Sequence, residues 1–234
     1  MVPMLYEPFQ HWAENGSIYI YSDPHFNDAD CQIMDANWPA PGEQVKKINS
    51  IVHKCDTLII LGDIGDTSWV TKLKAGYKVL ITGNHDSGRT KYLRRQARGS
   101  FPIKDFTCVK ELKNILAENF PDTRARVYAG KMNYMVEMDN HLFDEVYEGP
   151  LFIAPKICLS HEPIDLGFGL NIHGHKHDLA GGGYDINHYN VCSNTINYTP
   201  INLARLIKDG YISRAEDIHR VAIDNAVEKK NKED

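Results

Sequence analysis

The chain predicts an α/β fold, a sandwich built on mixed β-sheets. Three features point there. Apolar runs such as TLIILGD (57–63) lack alternation and end in Gly-Asp, as strands buried on both faces of a parallel sheet do. Stretches with one apolar helical face separate the early runs. Between about residues 87 and 155, short hairpin-like strands replace that rhythm, so part of the sheet structure is antiparallel.

The elements follow in order. Asn15-Gly16 is a turn signal that feeds the β-rich run SIYIYSD (17–23). GEQVKKINSIVHKC (42–55) places Val45, Ile48, Ile51 and Val52 on one helical face. TSWVTKLKAG (67–76) reads as a short helix stopped by Gly76. YKVLITGNHD (77–86) repeats the pattern of apolar strand and polar cluster. In the middle, CVKELKNILAEN (108–119) is amphipathic, and RARVYAG, YMVEM, DEVYEG and PLFIA read as short antiparallel strands. KICLSHEP (156–163), LNIHGHKH (170–177) and HYNVCSNT (188–195) are strands again. A helix over 213–230 closes the chain, with Ser213 and Glu216 as a capping box and Ala215, Ile218, Ala222 and Ala226 as its apolar stripe. No repeat, linker or boundary interrupts this order, so residues 1–234 read as a single domain.

Composition narrows the function. Apolar residues make up 42% and charged residues 24% of 234, as in an ordinary globular protein. A net charge of −5 supplies no global basic field for nucleic acid, so an anionic substrate needs a local attractor such as bound metal. No window approaches 18 consecutive apolar residues, which argues against a membrane span. The first sixteen residues lack the basic and apolar regions of a signal peptide. Five scattered cysteines without a CxxC pair suit reduced thiols, so a cytoplasmic location is expected. No feature specifies an oligomeric state.

Five polar clusters each follow an apolar strand: Asp23-Pro24-His25, Gly62-Asp63-Ile64-Gly65-Asp66, Gly83-Asn84-His85-Asp86, Ser160-His161-Glu162-Pro163 and Gly174-His175-Lys176-His177. Taken singly, each has a bland explanation as a turn, a loop or a hydrogen-bonded histidine. His175 and His177 carry more, because extended residues at i and i+2 face one side and can converge on an ion. In open α/β sheets ligands gather beyond the carboxyl ends of strands, where all five clusters lie.

Together these blocks resemble the calcineurin-like metallophosphoesterases, whose signature runs DxH, GDxxD, GNHD/E, a lone His, then GHxH. The tail NVCSNTINYTPINLARLI (190–207) resembles short bacterial and phage members of that superfamily. The resemblance implies a four-layer α/β/β/α sandwich around two divalent metal ions. By it, Asp63 bridges the pair, Asp23, His25 and His177 complete one site, and Asn84, His161 and His175 complete the other. Carboxylate, imidazole and amide donors suit Mn, Fe, Zn or Ni better than Ca or Mg. Two such ions ~3.5–4 Å apart share a bridging hydroxide and clamp a phosphoryl group. His85 is implied to protonate the leaving alkoxide or to bind a phosphoryl oxygen. Asp86 either orients His85 or caps the turn. His173 falls outside the motif and reads as structural, although alternation would point it the same way as His175.

The substrate is less well marked. Protein phosphatases of the superfamily carry Arg-Gly after the second aspartate of GDxxD and Glu after GNH. Here Asp66-Thr67-Ser68 and Asp86 stand instead, which argues against that activity and, with the missing arginine, against diadenosine-polyphosphate hydrolysis. The basic stretch RTKYLRRQAR (89–98) could hold a phosphate or a nucleic-acid backbone, but the favoured reading is a solvated helix face, and within it Arg89 is the best candidate for substrate contact. Tyr92, Tyr184 and Tyr189 are candidates to stack on a base, although aromatic residues mostly serve cores. The leading expectation is hydrolysis of phosphomonoesters or phosphodiesters of a small, nucleotide-like substrate. A nuclease is the second reading, disfavoured by net charge and by the lack of an obvious DNA-capping domain. A non-catalytic scaffold of the same fold is the third; it would be expected to lose ligands or His85, and none is lost.

Overall fold

The apolar runs become strands because both of their faces are covered. A computed structural model describes residues 5–121 and 123–233, with side chains throughout except at 216–222, 224, 226, 231 and 233. The first part of the chain forms β1 (Ile18–Tyr21), α1 (Ala29–Met34), α2 (Pro41–Ile51), β2 (Thr57–Ile60), β3 (Tyr77–Ile81) and α3 (Arg89–Tyr92). An excursion follows: β4 (Gln96–Pro102), α4 (Val109–Asn119), β5 (Arg124–Ala129) and β6 (Asn133–Asp139). The chain returns through β7 (Glu145–Tyr147), β8 (Leu151–Ala154), β9 (Ile157–Ser160), β10 (Leu170–His173), β11 (Gly182–Gly183), β12 (His188–Asn190) and β13 (Ile201–Asn202). It ends in α5 (Leu203–Lys208) and α6 (Tyr211–Glu233).

Two mixed five-stranded sheets make the sandwich the sequence predicts, in the orders β13-β1-β2-β3-β7 and β11-β12-β10-β9-β8. β1, β2, β3 and β7 are mutually parallel, as are β9, β10 and β12, and antiparallel strands lie at the edges. Ile20, Ile59, Val79 and Ile81 of the first sheet share one buried core with Ile157, Leu159, Leu170 and Ile172 of the second. On the first sheet's other face, Leu58, Ile60 and Leu80 pack with Val45 and Ile48 of α2. Burying each such side chain is worth roughly 1.5–3 kcal/mol, which is why TLII needs no polar alternation. The second sheet's outer face is polar. Asn171 Oδ1 accepts from Ile164 N at 2.9 Å, and His188 Nε2 lies 3.1 Å from Ile164 O, so the loop after β9 covers it. No described helix is long and apolar enough to cross a membrane.

Three local expectations change. TSWVTK forms a 3₁₀ helix at Thr67–Lys72, with the Asp66 carboxylate accepting from Ser68 N; its β-branched residues and short length disfavour an α-helix. DEVYEG supplies β7, which extends the first sheet parallel to β3 rather than joining a hairpin. Asp144 N bonds Lys78 O at 2.8 Å and steers the returning chain to that edge. α6 begins at Tyr211, so exposed Ser213 lies inside its first turn rather than capping it. Left-handed Gly210 (φ +86°) separates α6 from α5, and Arg214 N bonds Gly210 O at 3.0 Å. Of the stripe proposed for this helix, Ala215 is buried; the side chains of Glu216, Ile218, Ala222 and Ala226 lie outside the described residues.

The excursion is a small unit. β4, β6 and β5 form an antiparallel sheet, and α4 packs Leu112 and Leu116 against Tyr134 and Val136 on one face. The basic stretch therefore divides between one helical turn and β4 instead of forming a single helix face. Arg94 ties the foot of the unit to the body through Asp139 and Asp144.

Candidate metal centre

The carboxyl ends of β1, β2, β3, β9 and β10 converge, and a parallel bridge between Ser22 and Cys192 joins the two sheets at this end. The sharp exits force unusual backbones. Asp23 (φ +54°), His25 (+41°), Asp63 (+54°) and His175 (+65°) all take left-handed conformations, each costing of order 1–3 kcal/mol unless the surroundings hold it. Backbone bonds hold these: Asp23 N to Gly62 O at 3.1 Å and His25 N to Asp63 O at 3.0 Å. Gly174 permits the closest approach, since a Cβ there would lie 1.9 Å from Ser22 Oγ and 2.2 Å from Asp23 Oδ2.

Two donor groups share Asp63. Asp23, His25 and Asp63 form one, and Asp63, His161 and His175 form the other. Asp63 Oδ2 lies 3.6 Å from His25 Nε2 and 3.3 Å from His161 Nε2. His177 Nε2 stands 3.4 Å from Asp23 Oδ1. Asn84 Oδ1 lies 2.8 Å from His161 Nε2, and His175 Nδ1 lies 3.2 Å from the same nitrogen. All seven residues singled out in the sequence thus meet in one place. His85 stands beside them, its ring centroid 5.6 Å from that of His25.

Other contacts turn the imidazoles. His25 Nδ1 pairs with Asp28 Oδ2 at 3.0 Å, His161 Nδ1 with Leu61 O at 2.8 Å, and His177 Nδ1 with Asn194 Oδ1 at 3.0 Å. Each leaves Nε2 facing inward, the arrangement in which an outer partner fixes the tautomer of a metal-binding histidine. Sequence reading missed Asp28, Asn194 and Cys192, whose thiol donates to Asp23 Oδ2 at 3.2 Å. Asp28 lies three positions after His25, and Cys192 and Asn194 belong to the NVCSNT run, but no chemistry in the sequence marked them.

The donor set fits a cation. Asp23 Oδ1 is buried with no hydrogen-bond partner, although imidazole nitrogens of His177, His25 and His161 surround it at 3.4, 3.9 and 4.0 Å. Burial alone would raise the Asp23 carboxyl, but the nearby His177 and His161 imidazoles outweigh it and bring it to about 2. Burial likewise opposes charge on His161, yet the Asp63 and Asp23 carboxylates hold it up at about 9. Positive charge is favoured here, and a divalent cation can replace those protons.

The structure also places the remaining candidates. Strand β10 ends at His173, and Lys176 N bonds Gly174 O while His177 N bonds His175 O. His175 and His177 therefore lie in a tight turn, not on one face of an extended strand. The same turn sends His173 the other way, where Nε2 meets the Tyr184 hydroxyl at 2.9 Å and burial lowers its pKa to about 4. Of the two roles open to Asp86, its carboxylate takes the cap, accepting from Asp63 N at 2.8 Å, Gly83 N at 2.9 Å and Ile64 N at 3.2 Å. Arg89 opens α3 and is exposed. Tyr92 is buried, Tyr184 stacks on His188, and Tyr189 packs on Tyr211, so these rings are occupied within the fold.

None of the curated proteins compared with the chain matches it significantly. Among solved structures, it resembles the protein of unknown function AQ665 from Aquifex aeolicus, with 20% identity, a TM-score of 0.51, and coverage of 82% of this chain and 98% of that one. At that identity the likeness speaks for the fold alone. The nuclease MPE from Pseudomonas putida also matches, at 18% identity and a TM-score of 0.35, over 68% of this chain and 61% of that one. The family model of the calcineurin-like phosphoesterases matches residues 16–192, a span that takes in all five motif blocks, and the chain belongs to that family.

Proposed function

We propose that the protein is a dinuclear-metal-dependent phosphoesterase. One observation carries the reading: Asp63 turns a single carboxylate oxygen toward donors of both groups, His25 on one side and His161 on the other. Asp23, His25, His177 and Asp63 would hold one ion, and Asp63, Asn84, His161 and His175 the second. Such ions supply Lewis acidity toward a phosphoryl oxygen and a water made acidic enough to attack near neutral pH. The chain's own residues do the rest. Asp28, Leu61 O and Asn194 fix the inward nitrogens. His85, exposed beside the donors, gives a proton to the departing alkoxide. Asp86 keeps the turns after β2 and β3 in register. Residues 1–234 would work as one domain, in a reducing cytoplasm.

Mixed carboxylate, imidazole and amide donors favour Mn, Fe, Zn or Ni. A phosphoryl group suits such a centre, and a small nucleotide-like ester would satisfy it. The test is turnover of bis-p-nitrophenyl phosphate and p-nitrophenyl phosphate with Mn, Ni, Zn and Fe in parallel. Metal-dependent release of nitrophenolate, lost on chelation and in His85→Ala, is expected. Equal rates for wild type and variant on both esters would overturn the reading.

A further inference from the structure

Charge is unevenly spread along the chain. Residues 89–139 hold eleven Lys and Arg against six Asp and Glu, which leaves fifteen against twenty-five elsewhere. A protein of net charge −5 thus carries a segment of +5, most of it from Arg89, Lys91, Arg94 and Arg95, while residues 96–139 of the excursion hold seven basic against six acidic residues.

The sheet of that excursion sets three arginines on one face. α4 covers the side of Tyr134 and Val136. On the opposite side, strand register sets Gln96, Asp139 and Arg124 in one row, Arg98, Glu137 and Arg126 in the next, and Ser100, Met135 and Tyr128 beyond. Arg98, Arg124 and Arg126 are exposed, and Tyr128 and Met135 are each 49% exposed. The acids on this face are partly spent. Asp139 accepts from Arg94 Nε at 3.0 Å through both oxygens. Glu137 accepts the Tyr128 hydroxyl at 3.3 Å and lies 3.7 Å from Arg98 Nε. Three exposed guanidiniums therefore stand against two carboxylates, both already partnered, one of them by Arg98. Arg89, Lys91 and Arg95, on the segment of chain that joins the His85 turn to β4, are exposed as well.

We propose that this face binds a single-stranded polynucleotide and presents its phosphodiesters to the Asp63 centre, which makes the protein a nuclease. The proposal rests on the phosphoesterase reading and names its substrate class. Guanidiniums pair with backbone phosphates, while an exposed Tyr ring and Arg planes offer surfaces on which bases stack without sequence preference. The net charge that disfavours nucleic acid is a property of the body, not of this face.

The test uses full-length, Mn-loaded His85→Ala protein, so that bound strand is not consumed, and the fluorescence anisotropy of a labelled 20-nucleotide oligo-dT. Binding is expected to weaken about tenfold or more between 50 and 200 mM salt, as release of counterions from about three phosphates requires. Adding Arg124→Glu and Arg126→Glu should weaken it at least tenfold, whereas the Lys pair at both positions should retain it. Absence of binding at 50 mM salt, equal binding by the Glu variants, or binding to phosphatidylserine vesicles instead of oligonucleotide would overturn the proposal. Wild-type turnover of bis-p-nitrophenyl phosphate reports on the metal centre separately, so failure there would sink the phosphoesterase reading without altering the anisotropy result.

Discussion

Asp63 holds the backbone of His85: its Oδ1 accepts the His85 N–H at 3.0 Å, while its Oδ2 faces His25 and His161. One carboxylate thus spans both donor groups and positions the exposed histidine. The two residues should separate when mutated. Asp63→Ala is expected to lose both activity and metal, with fewer than two ions per chain by elemental analysis. His85→Ala should keep both ions and lose about 10²–10⁴-fold in kcat. Loss of metal from His85→Ala would place that residue among the ligands.

Asp28 and Asn194 meet the outward nitrogens of His25 and His177, while Asp28 also caps α1 through Asp30 N and Asn194 also donates to His177 O. Alanine at either position should weaken metal binding about 10–100-fold, read by calorimetric Mn titration. Activity should return at saturating Mn. An unchanged affinity would mean that packing alone aligns the rings.

Asp86 accepts three backbone amides, from Asp63, Ile64 and Gly83. Each bond to a charged group is worth about 1.5–3 kcal/mol in such settings, and local rearrangement recovers part of the sum. Asp86→Ala should therefore cost about 3 kcal/mol and lower Tm by about 6–12 °C, with Asp86→Asn between. A variant with normal Tm and only a shifted pH profile would restore the orienting role toward His85.

Gly174→Ala places a methyl where Ser22 Oγ and Asp23 Oδ2 already lie, at 1.9 and 2.2 Å. The methyl has no free volume, so Asp23 must move. Loss of one bound ion, with the second retained, is the expected result by elemental analysis.

Burial tends to raise the Asp139 carboxyl, but the Arg94 guanidinium and the His141 N–H outweigh it and hold it well below the ordinary value of 3.8. A carboxyl lowered by folding contributes stability above its unfolded pKa and loses it as pH falls through the folded one. The stability gap between wild type and Arg94→Gln should be full at pH 6 and shrink steadily below pH 4 in urea titrations. A gap that ignores pH would assign the loss to packing of the Arg94 stem.

Much of the architecture is legible in the chain because its signals are local. TLII, VLI (79–81) and ICL (157–159) are apolar on consecutive positions, as a strand covered on both sides tolerates, and each leads within a residue or two into a polar cluster. The excursion was harder to read. Its strands are half-exposed and carry Arg, Tyr and Met on one face, so RTKYLRRQAR looks like a solvated helix until β6 pairs with β4. Helix α6 shows the same limit, since it begins after Gly210 rather than at the Ser213 capping signal.

By itself the sequence determined which groups are present and in what order: two aspartates, an asparagine and four histidines, each placed just after a strand. Only the tertiary structure decided how they face one another. That Asp63 lies between His25 and His161, that His173 turns away while His175 turns in, and that Asp86 serves backbone amides all depend on left-handed exits and on contacts between residues up to 170 positions apart. Spacing along a chain carries no such information, because the direction of a side chain at a turn is set by what the turn is packed against.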